Sequence, residues 1–263
     1  MNNKQGSAVE PASSKVPEVV FGFWIIKIAA TTLGETGGDW VSMSLGLGYL
    51  VGSAIFAAVF IALVWGQVSA ERFRPILYWA TIAATTTLGT TLADFADRSL
   101  GLGYPGGVAL VAALLAASLA VWYWSEGSVS VRSITRPKVE WFYWITILFS
   151  QTLGTALGDW MAGTDRGGLG LGYEVGALVF GAGLAVVAAV YVWGRVSHTL
   201  LFWLAFVLTR PLGATLGDLL DKPLASGGLN LSRLYASLVL LAFIGACIRF
   251  IPQRPAPAGE ATA

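Results

Sequence analysis

The sequence predicts an all-α integral membrane protein in which eight transmembrane helices form four parallel two-helix repeats in a pseudo-symmetric bundle. Three observations predict this fold. Of the 263 residues, 56% are hydrophobic and 12% are charged, about half the charged fraction of an average soluble domain. One sequence pattern recurs four times in register, and each copy contains two apolar segments of roughly 18 to 22 residues, enough to cross a bilayer. We therefore expect the lipid bilayer to be the solvent for most of the chain.

The repeat is anchored by a tryptophan in each copy. A leucine follows nine positions later, a glycine ten positions later and an aspartate fifteen positions later, with no gap in any copy. The four tryptophans and their aspartates are Trp24 and Asp39, Trp79 and Asp94, Trp144 and Asp159, and Trp203 and Asp218. The first three copies continue to Leu-Gly-Leu-Gly-Tyr at 45–49, 100–104 and 169–173. The fourth copy has only Gly227, Gly228, Leu229 and a later Tyr235, so it is the divergent one.

The repeats divide the chain into successive two-helix units. We place their boundaries at 19–72, 73–138, 139–197 and 198–251. The predicted spans within them are 19–38, 47–66, 75–94, 105–124, 140–159, 173–193, 199–218 and 232–251. Residues 1–18 and 252–263 are rich in Ser, Pro, Lys or Ala, which predicts disordered tails.

The distribution of positive charge predicts the orientation. Ten Lys and Arg residues lie between repeats or in the tails, and four lie on the opposite side of the predicted bundle. The positive-inside rule then places both termini in the cytoplasm of a bacterial cell, with the protein multi-pass in its inner membrane.

This layout of four Trp-anchored two-span units, with Leu-Gly-x4-Asp and Leu-Gly-Leu-Gly-Tyr motifs, resembles a known bacterial membrane family. That family is described only as a repeat of unknown function, or as an uncharacterised membrane-anchored protein. The resemblance covers roughly residues 18 to 251 and implies the repeat architecture without implying an activity. Function must therefore be inferred from the residues.

The first helix of each repeat is expected to face the axis of the bundle. Small residues four apart on these helices allow close helix approach. The expected packing glycines are Gly34, Gly38, Gly89, Gly154, Gly158, Gly213 and Gly217, with Ala93 completing the pattern. Successive two-span units enter the membrane in the same direction, so we expect the four first helices to be parallel.

A polar stripe follows one face of these helices, at positions 3, 7, 11 and 15 after each tryptophan. The stripe reads Lys27, Thr31, Glu35 and Asp39; Ile82, Thr86, Thr90 and Asp94; Ile147, Gln151, Thr155 and Asp159; and Phe206, Arg210, Ala214 and Asp218. A second acidic position follows in two repeats, at Asp97 and Asp221. Because such a stripe must face protein or water, its polar members are candidates for an ion pathway.

Three charges fall at membrane depth in this stripe. Burying Lys27, Glu35 or Arg210 costs from a few to more than ten kcal/mol depending on the estimate, so each is a candidate functional residue. Arg210 is expected to reach Glu35 across the axis. The pair is then a structural ion pair, a gate or a proton-linked switch.

The four repeat aspartates permit two interpretations. As a ring of carboxylates they would attract a cation, and together with Glu35 they form a candidate metal-ligand set: Glu35, Asp39, Asp94, Asp159 and Asp218. Alternatively, each aspartate ends its helix and caps the following turn. Similarly, the Leu-Gly-Leu-Gly-Tyr loops either fold back over the mouth and offer carbonyl ligands, or form ordinary satisfied turns.

The tryptophans are expected to be interfacial anchors, and an aromatic cage for an organic cation is the alternative. The expected anchors are Trp24, Trp65, Trp79, Trp122, Trp124, Trp141, Trp144, Trp193 and Trp203.

Together these features predict a secondary carrier or channel for a hard inorganic cation, either a divalent ion such as Mn²⁺ or a proton-coupled ion. Oxygen ligands are expected because the chain has one cysteine, Cys247, and one histidine, His198. The alternatives are a membrane scaffold or sensor, and a transporter of a small organic cation. No resident cofactor, no nucleic-acid partner and no enzyme activity are expected, since the corresponding motifs are lacking.

Overall fold

A computed structural model describes residues 14–131, 134 and 136–256, and this part of the chain forms eight long α-helices. They are α1 Phe21–Asp39, α2 Gly48–Ser69, α3 Pro75–Asp94, α4 Gly103–Glu126, α5 Pro137–Ala162, α6 Gly172–Trp193, α7 His198–Asp221 and α8 Arg233–Phe250. Each predicted span overlaps one of these helices. Two π-helical turns, Trp40–Ser44 and Phe95–Ser99, extend α1 and α3, and a short 3₁₀ turn, Leu224–Ser226, follows α7.

The first helices of the four repeats, α1, α3, α5 and α7, form an inner ring. Each packs against the next, and α7 packs against α1 to close the ring. The second helices lie outside it, with α2 against α3, α4 against α5, α6 against α7 and α8 against α1. The second helix of each repeat thus packs mainly against the first helix of the following repeat. The repeats are interlocked, as expected for units that bury their faces only against neighbours.

Five of the helices are long and apolar enough to cross a membrane: α2, α4, α6, α7 and α8. Four of these are the second helices, whose apolar faces are largely exposed on the outside of the bundle. The remaining three helices, α1, α3 and α5, carry the polar stripe and are enclosed by the others. The arrangement is that of a multi-pass helical membrane protein.

All seven expected packing glycines contact a neighbouring helix of the ring, and one equivalent glycine from each repeat makes the tightest contact. A Cβ atom added at Gly34 would overlap Thr86 on α3, and one at Gly89 would lie 3.0 Å from the α5 backbone at Gln151. A Cβ at Gly154 would overlap the Arg210 side chain on α7, and one at Gly213 would overlap Thr31 on α1. These four equivalent glycines therefore set the separation of all four neighbouring helix pairs in the ring.

The ring of first helices has two chemically different ends. At the Trp end, where these helices begin, aromatic side chains fill the interior; we call them the aromatic layer, which consists of Phe23, Tyr78, Trp79, Tyr143, Trp144, Phe202 and Trp203. The Tyr78 and Tyr143 hydroxyls lie 2.6 Å apart within it. At the Asp end, where the same helices finish, the four repeat aspartates meet.

Four of the expected tryptophan anchors are buried instead. Trp79, Trp122, Trp144 and Trp203 pack inside the bundle, so their interfacial assignment was wrong. The four residues Trp65, Trp124, Trp141 and Trp193 are exposed, in agreement with an anchoring role. The repeat tryptophans of the second, third and fourth repeats face inward because the second helices surround the ring, whereas Trp24 in the first repeat is only partly buried.

The chain segments next to the two termini pair with each other at the Trp end. Residues 14–18 and 252–256 form this terminal pair, in which the Glu18 amide donates to the Arg254 carbonyl at 2.8 Å and the Ala256 amide to the Val16 carbonyl at 2.9 Å. Lys15 forms a 2.6 Å salt bridge with Glu140 on α5. These parts of the two predicted tails are ordered and lie on the same side of the bundle; residues 1–13 and 257–263 lie outside the described residues.

Candidate cation site

Arg210 occupies the centre of the inner ring. Its guanidinium forms a 3.0 Å salt bridge with Glu35 on α1 and donates to the Thr31 carbonyl at 3.2 Å. It also donates to the Thr86 carbonyl at 3.3 Å and to the Thr90 hydroxyl, both on α3. The stem of Arg210 packs against Gly154 on α5, so this one side chain contacts the other three inner helices. The expected pairing of Arg210 with Glu35 is present, between neighbouring rather than opposite helices.

Lys27 lies two turns closer to the Trp end than Glu35 and is fully buried. Its ammonium donates to the Gln151 side-chain oxygen at 3.4 Å and lies 3.9 Å from the centre of the Phe206 ring. No carboxylate of the described residues lies within salt-bridge distance of it. Lys27 is therefore held by an amide and an aromatic face, which compensate a buried cation only in part.

The four repeat aspartates at the Asp end are bridged in pairs, with one cation for every two carboxylates. Arg98 lies 2.8 Å from Asp94 and 3.4 Å from Asp159, and we call this group the Arg98 clamp. Lys222 forms salt bridges with Asp39 and, at 2.9 Å, with Asp218; this group is the Lys222 clamp. Each cation stands four residues after the aspartate of its own repeat and reaches the aspartate of the next repeat.

The capping interpretation of these aspartates was wrong. Asp39 and Asp94 directly precede the π-helical turns, yet neither side chain makes a capping hydrogen bond there. Their carboxylates turn toward Arg98 and Lys222 instead. The residues thus serve the polar interior rather than the local backbone.

Three carboxylates from two helices converge at the Lys222 clamp, because Glu35 joins Asp39 and Asp218 there. Oxygen atoms of Glu35, Asp39 and Asp218 lie within 4.8 Å of one another, and all three side chains are buried. One oxygen of Asp39, Oδ1, has no hydrogen-bond partner among the described residues. Three carboxylates at this separation are a ligand set of the kind that hard cations prefer. We call this group the candidate cation site.

The other expected metal ligands lie elsewhere. Asp94 and Asp159 do not join the candidate cation site, because both face Arg98. All fourteen expected pathway residues are nevertheless buried: Lys27, Thr31, Glu35, Asp39, Thr86, Thr90, Asp94, Asp97, Gln151, Thr155, Asp159, Arg210, Asp218 and Asp221. Within the described residues, the Thr155 hydroxyl donates only to the Gln151 carbonyl of its own helix. Asp221 pairs with Arg233 at 2.9 Å.

A cavity of about 490 Å³ lies at the Asp end, above the two clamps. We call it the Asp-end cavity; its lining is Tyr49, Arg98, Ser99, Tyr104, Asp165, Arg166, Tyr173 and Lys222. The three tyrosines are the last residues of the three Leu-Gly-Leu-Gly-Tyr motifs. Arg98 and Lys222 belong to both the cavity and the clamps, so they separate the cavity from the buried carboxylates.

The loops that carry these tyrosines are turns with exposed leucines, rather than segments folded over the mouth. Their first glycines have positive φ, for example 68° at Gly46 and 71° at Gly101. In the fourth repeat Asn230, with φ of 53°, takes the same place, and α8 then begins at Arg233. Arg233 therefore occupies the position that tyrosine has in the other three repeats. Tyr235 does not occupy that position, because its side chain is exposed.

Sequence reasoning missed the cations that complete this site. Arg98 and Lys222 were counted only as charges on one side of the membrane. Their shared position, nineteen residues after the tryptophan of repeats two and four, was the available signal. An arginine or lysine four residues after a helical aspartate is a neighbour of that aspartate on the helix surface.

Comparison with known proteins matches the repeat organisation. A family model described as Repeat of Unknown Function (DUF347) matches residues 22–73, 77–128, 142–197 and 201–250. No match was found among curated proteins or among solved structures. Each matched segment contains one first helix and one second helix, which confirms the prediction of four tandem two-helix repeats.

Proposed function

Since this chain belongs to the family of the Repeat of Unknown Function (DUF347), whose description assigns no activity, we propose a function from the geometry of its own residues. The protein is a secondary carrier for a hard inorganic cation, which binds at Glu35, Asp39 and Asp218. The observation that carries the proposal is the convergence of these three buried carboxylates beneath the Asp-end cavity.

Lys222 supports this proposal because its ammonium already contacts the site. It forms salt bridges with Asp39 and Asp218 and lies 3.9 Å from Asp221. A single positive charge held by several carboxylates occupies the position that an incoming cation needs. We infer that Lys222 is a tethered competitor, which withdraws toward the Asp-end cavity when a cation binds.

The local charge favours a divalent ion. The three carboxylates contribute −3 and Arg210, bound to Glu35, contributes +1. Arg233, 3.8 Å from Asp39, is offset by its partner Asp221, so withdrawal of Lys222 leaves −2. A divalent cation restores neutrality, whereas a monovalent ion leaves a buried charge uncompensated. Carboxylate oxygens suit Mn²⁺, Mg²⁺ and Ca²⁺ better than they suit copper. We therefore favour a divalent ion such as Mn²⁺ among the hard cations.

A carrier is favoured over a channel because the axis is filled on the far side of the site. Arg210 contacts the other three inner helices at one level, and the aromatic layer and the terminal pair follow toward the Trp end. A cation that enters from the Asp-end cavity therefore needs a rearrangement of the ring before it leaves. Such alternation of access is how secondary carriers work.

We place the carrier in the bacterial inner membrane with eight spans. The apolar second helices would face lipid and shield α1, α3 and α5, whose polar stripe lies inside. The excess of Lys and Arg at the Trp end favours a cytoplasmic location for that end and for both termini. The Asp-end cavity would then open to the periplasm.

The test is cation uptake into proteoliposomes, with Mn²⁺, Mg²⁺, Ca²⁺ and Na⁺ compared in parallel. Glu35→Gln and Asp39→Asn should abolish uptake, measured on protein shown to be folded, since loss of the Glu35 carboxylate also destabilises the bundle. Asp165→Asn is the matched control, because Asp165 is exposed at the cavity rim and outside the cation site. Absence of flux for every cation with the wild type would overturn the proposal and favour a scaffold, a sensor or a carrier of organic cations.

A further inference from the structure

Asp97 is a buried carboxylate that forms no salt bridge with any described residue. It lies in the π-helical turn Phe95–Ser99 that follows α3, and its side chain is 1% exposed. Both of its carboxylate oxygens lack a hydrogen-bond partner, and none of the salt bridges in the described part of the chain includes it. It packs against α4, where a Cβ atom at Gly107 would overlap Asp97 Oδ1. The carboxylate is therefore packed tightly against the uncharged backbone of α4.

The equivalent residue in repeat four shows what is missing. Asp221 stands at the same distance from its repeat tryptophan as Asp97 and is paired with Arg233 at 2.9 Å. Tyr104 takes the place of Arg233 in repeat two, and its hydroxyl donates to Asp165 at 3.2 Å. The same fold position thus carries a counter-ion in one half of the molecule and a neutral phenol in the other.

The charged groups around Asp97 do not replace that counter-ion. Arg98, in the same turn, is already engaged by Asp94 and Asp159, and Asp159 on α5 repels a negative charge at Asp97. Arg166, in the loop after α5, is a weaker attraction, and Tyr104 on α4 is neutral. Burial outweighs these effects and raises the pKa of the Asp97 carboxyl to about 7. Protonation removes the cost of an unpaired buried charge near neutral pH.

We propose that Asp97 is a proton-binding site that exchanges protons with water in the Asp-end cavity and couples proton movement to cation transport. Its neighbours Arg98 and Ser99 line that cavity, so the turn that carries Asp97 borders the water from which a proton would come. Uptake of one proton makes the carboxyl neutral, and release restores one negative charge beside the Arg98 clamp. The coupling rests on the proposed carrier function, whereas proton binding at Asp97 does not.

Proton binding is tested by infrared difference spectroscopy of the purified protein between about pH 9 and about pH 5, a range that brackets a carboxyl titrating near neutrality. The wild type should gain a protonated-carboxyl C=O band with a midpoint near neutral pH. Other buried carboxyls contribute to the same region, so Asp97→Asn should lose only the part of this band that belongs to Asp97, seen in the wild-type-minus-variant difference, and the exposed control Asp165→Asn should lose none of it. An unchanged band in Asp97→Asn overturns the proposal.

A second, independent variant introduces a counter-ion for Asp97. Tyr104→Arg gives Asp97 the partner that Asp221 has, so the midpoint of the Asp97 band should move to lower pH. If Tyr104→Arg does not fold, Asp97→Asn still tests proton binding, because it only replaces an oxygen atom by a nitrogen atom. An Asp97 midpoint that stays near neutrality in folded Tyr104→Arg contradicts the assigned role of the missing counter-ion.

Coupling is tested in proteoliposomes that contain a pH-sensitive dye, with Mn²⁺ as the driving ion. Wild type should move protons with Mn²⁺, and Asp97→Asn should still bind Mn²⁺ but move no protons. A wild type that moves Mn²⁺ without protons overturns the coupling. A wild type that moves no cation overturns the carrier function and the coupling with it, while the infrared band still decides whether Asp97 binds a proton.

Discussion

Arg98 and Lys222 occupy the same position in repeats two and four, and each joins the aspartate of its own repeat to the aspartate of the next. The four helices of the ring follow fourfold pseudo-symmetry, but their charges follow only twofold pseudo-symmetry. This difference resolves the repulsion expected of four carboxylates around one axis. Each of two tethered cations bridges one pair of aspartates and compensates half of its charge, and only the pair next to Glu35 gains a third carboxylate.

The Lys222 clamp predicts a gain of binding. In Lys222→Met the tethered competitor is gone, so Mn²⁺ should bind about tenfold more tightly, equivalent to ~1.4 kcal/mol. Isothermal titration calorimetry in detergent measures the change. Arg98→Met is the matched variant in the other clamp, and it should leave the affinity at Glu35, Asp39 and Asp218 nearly unchanged. Equal or weaker binding in Lys222→Met would contradict the competitor role.

The Arg210–Glu35 pair predicts strong coupling between two substitutions. Glu35→Gln leaves a buried guanidinium without its carboxylate, and loss of one partner of a buried pair costs about 3–5 kcal/mol. The double variant Glu35→Gln with Arg210→Met removes both charges and should recover part of this stability. Thermal unfolding of the two single variants and the double variant gives the coupling energy. Strictly additive losses of stability would show that the Arg210–Glu35 pair does not account for the destabilisation.

The glycine contacts predict a stability loss that depends on position in the ring. Gly154→Ala places a methyl group against the Arg210 stem, and overpacking of this kind costs about 1–3 kcal/mol. Gly181→Ala on α6 is the control, because nothing lies within 4 Å of a Cβ atom there. The unfolding temperature in detergent should fall for the first variant only. A similar fall for both would point to a general effect of alanine rather than to the ring contact.

The terminal pair predicts local opening without global unfolding. Glu140→Gln weakens the salt bridge with Lys15, so the Glu18 and Ala256 amides, which bond across the pair, should exchange hydrogen faster. Hydrogen-exchange mass spectrometry of segments 14–18 and 252–256 measures this. Glu126→Gln, at an ion pair with Arg136 and Lys138 outside the terminal pair, is the control and should leave both segments unchanged.

Several features of the site could be predicted because they repeat along the chain. The polar stripe on the first helices follows from four-residue spacing, and the pairing of Arg210 with Glu35 follows from the need to compensate buried charges. The burial of Trp79 and Trp144 could not be predicted in the same way. A tryptophan near a helix end is typical of an interfacial anchor, and only the surrounding second helices turn these two residues inward.

The sequence by itself determined the four repeats, the eight helices and the polar face of each first helix, because these depend on local spacing and composition. Only the tertiary structure decided which carboxylate meets which cation. Those contacts join residues far apart in the chain, such as Asp39 with Lys222 and Asp159 with Arg98. They depend on the register between neighbouring helices, which close packing at Gly34, Gly89, Gly154 and Gly213 sets. A shift of one residue along any helix would rotate its charges away from the axis by about 100°, since an α-helix has about 3.6 residues per turn.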